Sequence, residues 1–168
     1  MVTIAGGGVV LVPGEARTVD LGGFGVTVHA DDDVTGGGFS LIETAETGIG
    51  IGPPIHIHRD CAESFYVLAG TYRMHLDGQD FECPAGSFMY VPLGMRHTFQ
   101  SAEAGSRKLN LYTPAAMVGY FDALAVGIPR ASTRRGSTPS RSATRWRSSG
   151  PCRRATCERG YRTSLEAD

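Results

Sequence analysis

Two histidines one residue apart, followed by a glutamate, are the residues of this chain best suited to chemistry. They are His56 and His58 in the stretch PPIHIHRDCAES, with Glu63 five positions beyond His58. Because side chains on a strand alternate between its faces, both imidazoles are expected on one face, about 7 Å apart. That separation lets both rings converge on one metal ion. His29 and His75 stand alone in the sequence, as surface or core histidines usually do, and no role is assigned to them.

A third imidazole lies farther along the chain. An offset of five would place Glu63 on the opposite face of an uninterrupted strand, so the polar residues 59–62 are predicted to bend the chain before a new strand begins. Pro92 and Gly94 predict a tight turn, after which His97 opens the next strand. Three imidazoles and one carboxylate form a ligand set suited to a divalent transition metal.

These spacings resemble the two sequence motifs of the cupin family, over about residues 38–126. The second motif usually ends in Asn, where this chain has Ser101. The intervening stretch, residues 71–85, is short, as in small single-domain bacterial cupins of the quercetinase-like kind. The matching residues are Gly50, His56, His58, Glu63 and Gly70 in the first motif, and Gly86, Pro92, Gly94 and His97 in the second.

The resemblance implies one divalent metal ion held by four ligands. Those ligands would be His56, His58, Glu63 and His97. If the ion is six-coordinate, two positions stay open to substrate, water or dioxygen. This ligand set suits Fe, Mn, Ni, Co or Zn, and the sequence does not choose between them.

The pattern of apolar residues agrees with a β-barrel. With 41% apolar residues and 23 glycines, the composition favours many short strands joined by turns. Asp77 and Gly78 between two predicted strands are a strong hairpin signal. The predicted strands are residues 8–13, 25–30, 39–44, 64–70, 71–76, 80–84, 87–92, 97–101 and 108–113.

One helix is predicted after these strands. We expect it to pack against the outside of the barrel, as in similar cupins. Its signals are a cap, a proline in the first turn, apolar residues at helical spacing and a glycine near its end. These residues are Thr113, Pro114, Met117, Phe121, Leu124 and Gly127, with Pro129 just beyond.

The fold class expected is therefore all-β. It comprises a cupin double-stranded β-helix (jelly-roll) barrel, a short C-terminal helix and a disordered tail. The predicted organisation is N-terminal strands flanking the barrel at 1–37, the barrel core at 38–113, the helix at 114–128 and an Arg/Ser-rich tail at 129–168.

The charge of the tail differs sharply from that of the rest of the chain. Residues 1–129 hold 14 acidic against 6 basic residues, whereas residues 130–168 hold 10 arginines against 3 acidic residues. Three interpretations remain: an arginine-rich arm that binds nucleic acid, a disordered linker, or a segment translated in a shifted reading frame. The composition favours the third, because the tail lacks apolar periodicity. Shifting the reading frame of its coding sequence by one base can give a peptide with the pattern of a helix. A chain ended after Ile128 is then expected to keep its fold and metal.

Several classes of protein are not expected. The sequence has no apolar run of about twenty residues and no signal peptide, so a cytoplasmic location without a membrane partner is predicted. Cys61 and Cys83 lack disulfide or zinc-ribbon spacing and are expected to be reduced. Nucleic acid is not an expected partner despite the basic tail. A homodimer formed through edge strands is expected, because exposed edges need covering.

A small organic molecule is the expected substrate. Counting inward-facing positions from Glu63 and His97 predicts a partly apolar pocket, although filling the core is the commoner role of such residues. The predicted pocket residues are Phe65, Val67, Tyr72, Met74 and Phe99.

Three functions remain open from the sequence. The favoured one is a metal-dependent, dioxygenase-like oxidoreductase acting on a phenolic or enolic molecule, with Glu63 as both ligand and catalytic proton acceptor. The alternatives are a cupin isomerase, cyclase or lyase that uses the ion as a Lewis acid, and a non-catalytic small-molecule-binding cupin. The sequence does not separate the first two, because fold does not determine chemistry.

Overall fold

The structure is a computed structural model that describes residues 1–3 and 6–127. The predictions for the tail at 129–168, and for Ile128 at the end of the helix, lie outside the described residues. Within the described part, no helix is long and apolar enough to cross a membrane.

Short antiparallel strands dominate the described part of the chain. Nine of them overlap the nine predicted strands, while the first and third strands and a short helix were not predicted. The strands are β1 (Val2–Thr3), β2 (Val9–Val10), β3 (Arg17–Asp20), β4 (Phe24–Ala30), β5 (Ser40–Glu46), β6 (Ala62–Ala69), β7 (Thr71–Leu76), β8 (Gln79–Pro84), β9 (Phe88–Val91), β10 (His97–Ser101) and β11 (Ser106–Thr113). The helices are α1 (Asp32–Thr35) and α2 (Val118–Gly127).

Two sheets form the barrel. The larger has the strand order β3-β4-β5-β11-β6-β9, and the smaller has the order β10-β7-β8; β1 and β2 pair separately. Every pairing is antiparallel. Because β3 and β4 belong to the larger sheet, the segment 1–37 contributes strands to the barrel itself rather than only flanking it.

Inward-facing side chains of the two sheets pack against each other. Alternation along β11 is strict, with Ser106, Lys108, Asn110 and Tyr112 all buried. One apolar cluster joins the two sheets and comprises Phe65, Val67, Tyr72, Met74, Cys83, Met89, Val91 and Phe99. A second cluster joins the larger sheet to α2 and comprises Val19, Val26, Val28, Ile42, Cys61, Tyr112, Val118 and Phe121.

Helix α2 differs from the expectation in its start and its position. It begins at Val118, because the backbone of Met117 has a positive φ of 70° that an α-helix cannot contain. Phe121 packs among inward-facing residues of the larger sheet, and its ring lies 6.3 Å from that of Phe24. Arg17 on β3 donates two hydrogen bonds to Asp122. The helix therefore covers inward-facing residues rather than the outer surface of the barrel.

Candidate metal centre

The segment that carries His56 and His58 forms one isolated bridge, between His56 and His97. His56 and His97 exchange both backbone hydrogen bonds, at 2.9 and 3.0 Å. The predicted strand over IHIH is thus a single bridge, because Pro53 and Pro54 directly before it lack the N–H that a ladder needs. The chain also passes close to Phe99 at Gly52, where an added Cβ would lie 1.8 Å from the Phe99 carbonyl oxygen.

The position where the family motif usually has Asn helps hold this segment in place. The Ser101 hydroxyl donates to the Gly48 carbonyl at 2.6 Å and accepts from the Ile51 amide at 3.1 Å. The Ser101 side chain therefore holds the backbone of residues 48–51, which precede His56 and His58.

Glu63 reaches the histidines in the way that the sequence predicts. The chain bends at residues 59–60, and β6 starts at Ala62. Glu63 is the second residue of that strand, faces inward and is 2% exposed. The Gly94 amide donates to the His58 carbonyl at 2.8 Å, which fixes the turn before His97 against the same bend.

The four predicted ligands lie together. One ligand atom from each of His56, His58, Glu63 and His97 lies within 4.8 Å of the others. Glu63 Oε2 is 3.0 Å from His58 Nε2 and 3.1 Å from His97 Nε2. One carboxylate oxygen thus faces two imidazole nitrogens at the point where the side chains meet.

Backbone carbonyls orient two of the imidazoles. His56 Nδ1 lies 2.8 Å from the Pro54 carbonyl oxygen, and His97 Nδ1 lies 3.0 Å from that of Met95. A neutral ring that donates from Nδ1 keeps its Nε2 lone pair free. Histidines that bind metals commonly donate their second ring N–H to a carbonyl or carboxylate oxygen in this way.

The carboxylate of Glu63 is held ionised. Burial by itself would raise its pKa, but hydrogen bonds from His58, His97, Tyr112 and Asn110 outweigh burial and lower that pKa to about 2. The anionic form is therefore the one that the site stabilises.

The pKa values of His56 and His97 shift in opposite directions. Burial lowers the pKa of His56, which also lies near the other two imidazoles. Burial acts on His97 in the same direction, yet its hydrogen bond with Glu63 and that with the Met95 carbonyl raise the pKa overall. In the metal-free protein a proton on His97 is thus held by the carboxylate.

The residues present fit a divalent cation. When the imidazoles are neutral, all four side chains are electron-pair donors directed at one point, and one of them is a buried anion. Asn110 Nδ2 donates to Glu63 Oε1 at 2.8 Å, which leaves Oε2 directed at the histidines. Three nitrogen donors and one oxygen donor suit Mn, Fe, Co, Ni or Zn.

A cavity of about 490 Å³ opens beside this cluster. Of the candidate ligands, His56, His58 and Glu63 line it, together with the neighbouring Asn110 and Tyr112, while most of its other lining residues are aliphatic or aromatic. None of the described residues that line it is Lys or Arg. The lining residues are Leu21, Phe24, Ile51, Gly52, Pro53, Pro54, His56, Ile57, His58, Glu63, Phe99, Asn110, Tyr112, Met117, Tyr120, Phe121 and Leu124.

Of the five predicted pocket residues, Phe99 lines this cavity. Phe65, Val67, Tyr72 and Met74 face inward as expected, but they are at most 1% exposed and fill the core between the sheets. Their contact with a substrate stays a prediction. The depth of these four side chains could not be predicted, because alternation indicates which face of a strand a side chain occupies but not how deep in the barrel it lies.

Several residues that line the cavity were not predicted from the sequence. Asn110 and Tyr112 follow from alternation along β11, which the pattern KLNLYT already contained. Phe24 and the residues of α2 carried no such signal, because their place depends on where the helix packs. Tyr120 and Leu124 are 53% and 40% exposed at the edge of the cavity.

Comparison with known proteins agrees with this architecture. Residues 45–109 match the family model described as a cupin domain. Quercetin 2,3-dioxygenase from Bacillus subtilis (strain 168) is 28% identical over 95 residues, which are 56% of this chain. The match spans only 28% of the length of that dioxygenase.

Solved structures resemble the described fold. KdgF from Halomonas sp. superposes with a TM-score of 0.59 at 18% identity, covering 65% of this chain and 96% of that chain. An RmlC-like cupin from Shewanella frigidimarina NCIMB 400 gives 0.57 at 18% identity, covering 66% and 93%. These likenesses confirm the predicted all-β barrel fold.

Proposed function

Because residues 45–109 match the family model of the cupin domain, we propose that this chain is a metal-dependent, dioxygenase-like oxidoreductase. The proposed substrate is a small phenolic or enolic molecule. Its metal would be one divalent ion of Fe, Mn, Ni, Co or Zn, held by His56, His58, Glu63 and His97.

The observation that carries this proposal is the composition of the cavity lining. His56, His58 and Glu63 lie next to one another in it, and the aromatic rings of Phe24, Phe99 and Phe121 line the same cavity. An aromatic or enolic molecule matches both groups of residues, because its oxygen would reach the cluster while its apolar body contacts the rings. A carboxylate or phosphate at the far end of the molecule would find no described cationic side chain to pair with.

Glu63 would accept a proton from the substrate, and Tyr112 would stay protonated beside it. Glu63 is ionised and is proposed to serve as a ligand and as the acceptor of the substrate's hydroxyl proton. Burial raises the pKa of Tyr112 well above its ordinary value, and the neighbouring Glu63 carboxylate raises it further, so the phenol stays protonated. The bound ion would supply Lewis acidity and a place for dioxygen.

The test is metal analysis combined with oxygen uptake. Protein purified with and without air is analysed for the five metals, reloaded with each one and screened against phenols and enols. His58→Ala is expected to lose both metal and activity. His75→Ala, whose ring pairs with Asp80 in the β7–β8 hairpin, is the matched control and is expected to keep both. Absence of metal from the parent protein after reloading would contradict the proposal.

Redox-neutral chemistry is the alternative at the same site. An isomerase, cyclase or lyase would use the same ligands, with the ion acting only as a Lewis acid. Turnover under argon without loss of rate would favour it. Tight binding of phenols without turnover in either atmosphere would instead indicate a non-catalytic binding protein.

We also propose a homodimer that works in the cytoplasm. The outer face of the larger sheet carries exposed large apolar residues near its β9 edge, namely Tyr66, Leu68, Phe88 and Tyr90. A second copy covering this edge would remove both the apolar surface and the unpaired strand from water. Light scattering that finds only monomer at micromolar concentration would contradict the dimer.

A further inference from the structure

The two carboxylate oxygens of Glu63 have different surroundings. Oε2 faces the imidazoles, 3.0 Å from His58 Nε2 and 3.1 Å from His97 Nε2. Oε1 instead accepts a hydrogen bond from Asn110 Nδ2 at 2.8 Å. One oxygen thus lies among the candidate ligand nitrogens, while the other is held by an amide.

Strand pairing places the Asn110 amide beside this carboxylate. Glu63 on β6 lies directly opposite Tyr112 on β11, and Asn110 lies two residues before Tyr112 on the same inward face. Asn110 Nδ2 is also 3.4 Å from the Tyr112 hydroxyl oxygen, and that hydroxyl hydrogen-bonds the carboxylate. Asn110 and Glu63 are each 2% exposed, so water competes little for these contacts.

The orientation of the amide has a cost that its bond to Glu63 explains. Oδ1 of Asn110 is buried and has no hydrogen-bond partner among the residues that the structure describes. Reversing the amide would place Oδ1 against Oε1 of Glu63, and two acceptors would repel each other. An unpartnered buried acceptor destabilises a fold, so its presence needs a reason. The reason here is that Nδ2 stays directed at Oε1.

We propose that Asn110 is a positioning residue that limits Glu63 to binding the metal ion through Oε2 alone. A carboxylate can bind a metal ion through one oxygen or through both. With Oε1 held by Asn110, Glu63 fills one coordination position, and the three histidines of the cluster fill three more. A six-coordinate ion then keeps two positions open to molecules in the cavity rather than one. This inference rests on the metal site of the proposed function.

The first test is a crystal structure of the full-length protein reloaded with Co²⁺. It measures the distances from the ion to Oε1 and to Oε2 of Glu63. We expect the ion to bind Oε2, while Oε1 keeps its hydrogen bond from Asn110. An ion bound to both oxygens, or to Oε1 alone, would overturn the inference, and this test needs no variant to fold.

The second test compares a probe that needs two coordination positions with a probe that needs one. Tropolone, an enolic ring that chelates through two oxygens, and azide, which binds through one nitrogen, are titrated against the Co²⁺-loaded protein by visible absorption. In Asn110→Leu, Oε1 loses its donor and is expected to turn towards the ion, which closes one position. The affinity for tropolone should fall about 10-fold or more, as when an outer partner is lost, and that for azide less than about threefold.

Ser106→Ala is the matched control. Ser106 lies on the same strand, is 0% exposed and donates to the carbonyls of Thr71 and Glu103. This variant should bind both probes as the parent protein does. A general loosening of the barrel would weaken both probes together, so the difference between them separates positioning from a structural role. Equal losses for the two probes in Asn110→Leu, or no loss for tropolone, would overturn the inference.

The proposed function and this inference fail on different results. A protein that binds Co²⁺ through Oε2 alone, but consumes no oxygen with any phenol or enol, keeps the inference and loses the proposed function. Oxygen uptake by a protein whose Glu63 binds the ion through both oxygens keeps the proposed function and loses the inference. A protein that binds no metal loses both.

Discussion

Two groups of buried polar side chains lie inside the same barrel and differ in how their charges are balanced. The first is the histidine–glutamate cluster of the candidate metal centre, His56, His58, Glu63 and His97. The second, which we call the lysine cluster, comprises Lys108, Glu46, Thr44 and Tyr72. All four side chains of the lysine cluster are 0% exposed.

The lysine cluster is complete in itself. Lys108 Nζ donates to Glu46 Oε1 at 2.9 Å and to Thr44 Oγ1 at 2.5 Å, and it lies 3.6 Å from the centroid of the Phe99 ring. Tyr72 donates to the other oxygen of Glu46. Burial lowers the pKa of Lys108, while Glu46 acts against this shift. An acid, a base and neutral donors thus satisfy one another.

The histidine–glutamate cluster lacks such a partner among its own members. When its imidazoles are neutral, they and the carboxylate all offer electron pairs. His56, His58 and Glu63 border the cavity, whereas none of the four residues of the lysine cluster lines it. A buried cluster that contains both a cation and an anion needs no further partner. A buried cluster made only of electron-pair donors is instead stabilised by a cation from outside the protein.

Removing ligands should abolish metal binding without harming the lysine cluster. The double variant His56→Ala/His58→Ala is expected to lose stoichiometric metal, and His58→Ala alone should weaken affinity by more than about a hundredfold. Loss of an outer partner already costs about 10- to 100-fold, and a direct ligand contributes more. Metal analysis after dialysis measures this. Stoichiometric metal in the double variant would refute the assignment.

Breaking the lysine cluster should instead cost stability. Glu46→Ala leaves the ammonium of Lys108 buried without its counter-ion, and we expect the free energy of unfolding to fall by about 3–5 kcal/mol. The double variant Glu46→Leu/Lys108→Met, which removes both charges, should recover most of that loss. Urea unfolding measures both variants. If the single and double variants are equally destabilised, the cluster is not a coupled ion pair.

The pH dependence of stability should reverse when metal is bound. In the metal-free protein the raised pKa of His97 contributes stability below about its ordinary value of 6.5, and this contribution is lost as pH rises through the folded-state pKa. The lowered pKa of Glu63 contributes stability above 4.5, which is lost as pH falls towards about 2. The metal-free protein should therefore gain no stability from these groups above neutrality.

Metal binding needs neutral imidazoles, so the metal-loaded protein should instead gain stability as pH rises and release its ion as pH falls. Thermal melts between pH 5 and 8, with and without chelator, measure both trends. Glu63→Gln serves as the control, because it removes the carboxylate that raises the pKa of His97. A metal-free protein whose melting temperature rises steadily from pH 7 to 8 would contradict this prediction, because the lowered pKa of His56 adds stability only up to about its ordinary value of 6.5.

The smallest effect is expected from Thr44→Val. This change removes one of the two hydrogen bonds that Lys108 donates and keeps the shape of the side chain. Because Glu46 still neutralises the charge, the free energy of unfolding should fall by about 1–2 kcal/mol. Metal content should not change. A loss of metal in this variant would show that the two clusters are coupled.

Much of the candidate site could be predicted from the sequence because its determinants are local. The alternation of His56 and His58, the bend before Glu63 and the Pro-Gly turn before His97 each depend on a few neighbouring residues. The structure brings these four side chains together, and their role as metal ligands stays a proposal. The strands of the barrel were predicted for the same reason, since period-two alternation and turn residues are local signals.

The lysine cluster was not predicted. Lys108 and Glu46 lie 62 residues apart in sequence and meet only because β11 pairs with β5. Lysine and glutamate are among the residues least often fully buried, so their types gave no reason to place them inside.

Local patterns in the sequence were enough to predict the strands, the likeness to cupins and the four side chains that meet at the candidate metal centre. The start of α2 after Met117 and its position over one side of the cavity were seen first in the folded chain. The tertiary structure alone placed Phe65, Val67, Tyr72 and Met74 deep in the core. The physical reason is that alternation sets the face on which a side chain lies, whereas depth in the barrel and the docking of a helix depend on contacts between residues far apart in the chain.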